Sequence, residues 1–126
     1  MVTTVPIRGF PVKSGPCPGR LRMTYNSNFC PEFHQAVELI GKRWSGAIVR
    51  EMMAGANRFT DLMHAIPDLS ERMLCARLRA LEEAGILERR VLGVPIRVEY
   101  HLTEKGRDLR GVFAAVGEWA DRWMGR

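Results

Sequence analysis

The sequence predicts a mainly helical α+β domain closed by one small β-hairpin. Three observations carry that expectation. Apolar residues recur at three- and four-residue spacing from Phe33 to Leu81. After Gly85 the period shifts towards two, where "ILERRVL" and "IRVEYHL" flank "GVP". A helical stripe then returns from Leu109 towards the end of the chain. With 126 residues, 46% of them hydrophobic, the chain is long enough for one core and one domain with a tail.

Residues 1–29 hold four of the seven prolines together with Gly9, Gly15 and Gly19, and no periodic pattern survives there. They predict a flexible arm, with the folded domain over residues 30–126. Pro31 suits the first turn of a helix, and Phe33, Val37 and Ile40 mark one face up to Gly41. A second helix runs from Ser45 to Met53, with Ile48, Val49, Met52 and Met53 apolar and Gly55 as its stop. Trp44, beside "GKR", is expected in the core. "NRFTDLMHAI" predicts a short third helix, capped by Asn57 or Thr60, with Leu62, Met63 and Ile66 inward. "PDLS" breaks it, Ser70 caps a fourth helix and Gly85 ends that one. The hairpin follows, with Gly93 and Pro95 at its tip. Thr103 then caps one long last helix, striped by Leu109, Val112, Phe113, Val116, Ala120 and Trp123. Three helices closed by a two-stranded ribbon is the winged helix-turn-helix plan.

The net charge of +5 is unevenly placed. Residues 1–29 contain Arg8, Lys13, Arg20 and Arg22 and no acid, so the other 97 residues are nearly balanced, with 15 bases and 14 acids. A nucleic-acid argument must therefore rest on where the arginines sit. No apolar run approaches the ~20 residues of a membrane span, and no secretory h-region opens the chain. Three unpaired-looking cysteines, Cys17, Cys30 and Cys75, are read as thiols of a reducing compartment, with the cytoplasm as default.

The fourth helix has two unlike faces. With Leu74 at zero and about 100° per residue, Leu78 and Leu81 stay on the core side. Arg72, Ala76, Arg79 and Glu83 lie opposite, flanked by Met73 and Cys75. A helix fits the major groove, where arginine can donate two bonds to guanine, and a small Ala76 allows close approach. Ser70 and the first-turn amides can meet a phosphate. Glu83 would be repelled, so only the N-terminal half is expected to enter. Arg77 projects near the core edge and is expected to pair internally. Arg89, Arg90 and Arg97 fall on the ribbon, where a wing lays cations along the backbone or minor groove. A merely solvated charged face is the competing reading for all of these.

With these residues in place, the chain resembles the HxlR family of bacterial winged-helix regulators, relatives of the MarR group. The matching pieces are "CP" at 30–31, "LIGKRW" at 39–44, "RFTDL" at 58–62, "LSERML" at 69–74, "RLRALEEAGILERR" at 77–90, "RVEYHLTEKG" at 97–106 and "EW" at 118–119. The resemblance implies a homodimeric regulator, favoured as a repressor, on a pseudo-palindromic double-stranded operator. It implies dimer contacts through the first and last helices, here Phe33, Val37, Phe113, Val116, Trp119 and Trp123. It also implies that Cys30, just ahead of the first helix, answers oxidants or electrophiles. Amides at a helix start favour a thiolate, which is consistent with that role. The sequence departs from many family members at Cys75 and Ala76, where polar residues are common, and in its long N-terminal arm.

Rival readings are a winged-helix protein-interaction module and a small-molecule-responsive regulator without thiol sensing. The dimer cleft between the terminal helix and the DNA-binding part, with Phe113, Trp119 and Trp123 nearby, is where an apolar effector could sit. No CxxC, HxH or HExxH pairing suggests a metal among His34, His64, His101 and the cysteines. No phosphate loop or nucleophile motif suggests an enzyme or a cofactor.

Overall fold

The computed structural model describes residues 27–125. The N-terminal arm up to residue 26 lies outside the described residues, and with it the expectation of a flexible basic arm and Cys17. The chain divides after Gly41 into two units.

In the first unit, α1 spans Pro31–Ile40. Cys30 caps it in an extended conformation and accepts a hydrogen bond from the Phe33 amide through Sγ at 3.4 Å. Pro31 takes the first position, where its missing N–H costs nothing. The Phe29 and His34 rings meet at 5.6 Å between centroids.

The second unit holds α2 (Ser45–Met53), α3 (Phe59–Ala65), α4 (Glu71–Glu83), β1 (Leu87–Leu92), β2 (Arg97–Leu102), α5 (Glu104–Arg107) and α6 (Arg110–Trp123). Its core is Ile48, Val49 and Met52 from α2, Leu62 and Ile66 from α3, Leu69 from the turn, Leu74, Leu78 and Leu81 from α4, and Ile86 and Leu87. The apolar spacing of the sequence therefore faces inward on every one of these helices. Leu69 is buried next to Asp68, whose left-handed φ of 69° makes the sharp turn between α3 and α4.

β1 and β2 are antiparallel, in register from Leu87 opposite Leu102 to Leu92 opposite Arg97. The base of the ribbon is anchored twice. The Tyr100 amide donates to the Asn57 carbonyl at 2.8 Å, joining β2 to the segment ahead of α3. Thr103 Oγ1 donates to the Gly85 carbonyl at 2.6 Å, and Lys105 Nζ to the Ala84 carbonyl at 2.7 Å. Both carbonyls belong to the end of α4, which is thereby tied to the ribbon.

Three local expectations are corrected. The cap of α3 is neither Asn57 nor Thr60. The residue at the cap is Arg58, and Asp61 supplies the oxygen that accepts from the Arg58 and Asn57 amides at 3.2 and 3.4 Å. The last helix is not continuous. Residues 108 and 109 form a turn between α5 and α6, and the Leu109 amide bonds the Gly106 carbonyl three residues back. Gly106 is packed so tightly on the Ile86 carbonyl that a Cβ would overlap it, so docking on the ribbon sets the path there. Trp44 is half-buried and not a core residue. It starts α2 with a left-handed φ of 75°, and the Arg43 guanidinium lies 5.1 Å from its ring centroid.

The expectation of three thiols is corrected as well. Cys75 is free and exposed, but Cys30 is disulfide-bonded. An odd count does not prevent one pair, and spacing along the chain says nothing about which sulfurs meet.

Candidate nucleic-acid interface

The outer face of α4 follows from its inner one. Leu74, Leu78 and Leu81 anchor one side, so Arg72, Cys75, Ala76, Arg79 and Glu83 are exposed on the other. Met73 is half-buried at the edge. Ser70 accepts from the Met73 amide at 3.0 Å and starts the helix, leaving its first turn at the surface. Among the described residues neither Arg72 nor Arg79 has an ion pair, so both guanidiniums are available to an acceptor. Arg77 behaves differently. Its Nε donates to the Arg43 carbonyl at 2.7 Å, which ties the middle of α4 to the start of α2 and removes this arginine from the outer face.

The ribbon carries the second set of cations. Alternation puts Glu88 and Arg90 of β1 on one face, opposite His101 and Glu99 of β2, with Arg97 beside Glu99. Arg90 is paired with Glu88 at 2.6 Å, and Arg97 with Glu99 at 3.2 Å. His101 Nε2 lies 2.9 Å from the other Glu99 oxygen. Arg89 is exposed and has no ion pair among the described residues. These carboxylate partners were missed by sequence reasoning, although "ERR" and "RVE" place like-faced residues two apart, which is the available signal. Hydrogen bonds from His101, and then from Arg97, hold the Glu99 carboxyl below its ordinary range against the opposing pull of burial.

A shallow cleft opens between α2 and α6, lined by Arg50, Met53, Phe113 and Asp121 among others. Phe113 lines this intrachain cleft, whereas Trp119 and Trp123 do not. Its rim carries charges of both signs, unlike an apolar ligand pocket. Among the described residues no group of three histidine, cysteine or carboxylate side chains is placed to hold a metal ion. No helix there is long and apolar enough to cross a membrane.

This arrangement of α3, tight turn, outward-facing α4 and ribbon coincides with a known family profile, HxlR-like helix-turn-helix, which matches residues 39–126. The chain belongs to the HxlR-like family. Among curated relatives, the transcriptional regulator YodB of Bacillus subtilis is 43% identical over 98 residues, covering 77% of this chain and 88% of YodB. YvaP of the same organism, an uncharacterized HTH-type transcriptional regulator, is 39% identical over 99 residues, covering 78% and 92% of the two chains. The reduced form of YodB superimposes with a TM-score of 0.69 at 44% identity, over 75% of this chain and 94% of that one. The redox regulator HypR in its reduced form gives 0.68 at 35% identity, over 74% and 95%. The HxlR-like protein described here is thus a DNA-binding transcriptional regulator and not an enzyme, with the mostly helical winged-helix fold.

Proposed function

We propose that this regulator acts as a homodimer on a pseudo-palindromic operator, with the N-terminal half of each α4 in the major groove. Half-site centres would lie about 34 Å apart, one helical turn of B-DNA. The single observation that carries this reading is the two-faced α4, with three leucines buried and two unpaired arginines on the opposite side. Ser70, Met73, Cys75 and Ala76 complete the approach surface. On the wing, Arg89 is the arginine offered to the backbone, while Arg90 and Arg97, expected there from the sequence, are held by Glu88 and Glu99. Repression and a cytoplasmic setting fit this reading. Selection of bound duplexes from a random pool tests it: a palindromic consensus with that spacing is expected, and a featureless pool would overturn it.

Self-association is supported by two helices that bury nothing. No residue of α1 or α6 is buried. On α1, Phe33 is 53% exposed and Val37 44%; on α6, Trp119 and Trp123 are 54% and 67% exposed, with Val116 also open. A second copy supplies the same two faces by symmetry. Joint replacement Trp119→Glu with Trp123→Glu is expected to leave a folded monomer in sedimentation velocity. A dimer unchanged by those charges would remove α6 from the contact.

Cys30 is the proposed sensor of oxidants and electrophiles. It caps α1, and the structure holds it disulfide-bonded while Cys75 stays free. YodB has been solved in diamide-treated and quinone-bound forms, and HypR in an oxidized form. With that disulfide reduced, the Cys30 thiolate is the nucleophile that adds to the proposed effector, an electrophile of the quinone class. After the Cys30 disulfide is opened with a dithiol reductant, mild oxidant is expected to change operator binding of the wild type and leave Cys30→Ser unresponsive in a mobility-shift assay. An equal response in both would assign sensing elsewhere.

A further inference from the structure

On the ribbon, the unlike charges are paired along each strand and not across it. Arg90 sits in register with Glu99, yet its guanidinium goes to Glu88, two residues away, through Nε at 2.9 Å and Nη2 at 2.6 Å. Arg97 Nε likewise goes to Glu99 on its own strand, at 3.2 Å. Each strand thus neutralises its own arginine, so the two arginines and two glutamates of this face carry no net charge between them.

The two carboxylates are not equally free to yield. The Glu88 side chain is 50% exposed, whereas that of Glu99 is 16% exposed. Glu99 is also held from its second oxygen by His101, so it stays ionised and in place while Arg97 lies half open at 48%. Arg89, Arg72 and Arg79 have no such partner among the described residues.

We infer that Glu99, seconded by Glu88, is a specificity-determining residue: it withholds the wing arginine Arg97 from DNA phosphates and so restrains binding to random sequence. The inference rests on the DNA-binding reading above. A phosphate contact strengthens binding by releasing condensed counterions, and that release is independent of sequence. A guanidinium already neutralised by its own carboxylate releases few. Binding is then left to α4, whose arginines face base edges and discriminate. The wing of this chain contributes shape and position more than charge.

The test is a salt titration of binding to a random-sequence duplex, using fluorescence anisotropy. Glu99→Gln keeps the shape of the side chain and removes its charge. It is expected to tighten random-duplex binding about two- to five-fold at low salt, the scale of one exposed ion pair. The slope of log affinity against log salt should steepen by about 0.9 for each wing engaged. Arg97→Ala alone should leave the wild-type slope nearly unchanged, and the same change made on Glu99→Gln should restore it. An unchanged slope in Glu99→Gln, or a loss of about 0.9 per wing from Arg97→Ala alone, overturns the inference. A wild type that binds no duplex at any salt overturns the DNA reading itself, so the two failures are distinguishable.

Discussion

Leu74→Ala is expected to lower the unfolding free energy by about 2–5 kcal/mol. Leu74 is the first of the three leucines on the core face of α4 and is fully buried, at 0% exposure, on the same side as Leu78 and Leu81. Truncation removes the transfer free energy of the lost atoms and leaves a cavity in a close-packed core that the surrounding side chains cannot fill without moving. Domains of this size have only about 5–15 kcal/mol to lose. Urea denaturation followed by circular dichroism checks it: the midpoint should fall with the slope unchanged. A change below about 1 kcal/mol would mean that Leu74 is not packed as described. Operator affinity of the folded variant should also drop, because the same leucine holds the arginine face of α4 outward.

The second large effect concerns that face. Arg72→Ala and Arg79→Ala are each expected to cost about 1–3 kcal/mol of operator binding, roughly a 5- to 150-fold loss. Both side chains are exposed and neither has an ion pair among the described residues, so alanine removes no support from the fold. Random-duplex affinity should fall much less than operator affinity, since a base contact is lost and not only a phosphate contact. Anisotropy titration against the selected operator and a scrambled duplex measures the ratio. Operator binding untouched in both variants would remove α4 from recognition. Arg77 is the internal control: its bond to the Arg43 carbonyl predicts loss of stability and not of base discrimination.

The Glu99 carboxylate also gives the fold a pH dependence of known sign. Its folded pKa is lowered by His101 and Arg97. The stability it contributes is present above the ordinary carboxylate range and is lost as pH falls through the lowered value.

Much of the fold was legible because its cues are local. The spacing Leu74, Leu78, Leu81 fixes which side of α4 is dry, and therefore which side offers Arg72 and Arg79. The change of period after Gly85 and the turn residues at "GVP" are enough to place the ribbon, observed as β1 and β2. The cap of α3 was not legible, because asparagine, threonine and aspartate all compete for the same amides and only the backbone path selects Asp61. Nor was the break between α5 and α6. The apolar stripe runs through it, and the interruption comes from Gly106 pressed on Ile86, a contact twenty residues away in sequence.

By itself, then, the sequence determined the first four helices, the ribbon and the opposition of leucine to arginine on α4, because periodicity and turn chemistry act within a few residues. Only the tertiary structure decided that Arg77 is spent on the Arg43 carbonyl, that Arg90 and Arg97 face their own carboxylates, and that Cys30 is disulfide-bonded while Cys75 is free. Those outcomes depend on ångström-scale distances between groups whose partner the chain alone does not name, and a charge or a sulfur has the same symbol in the sequence whether its partner is near or far.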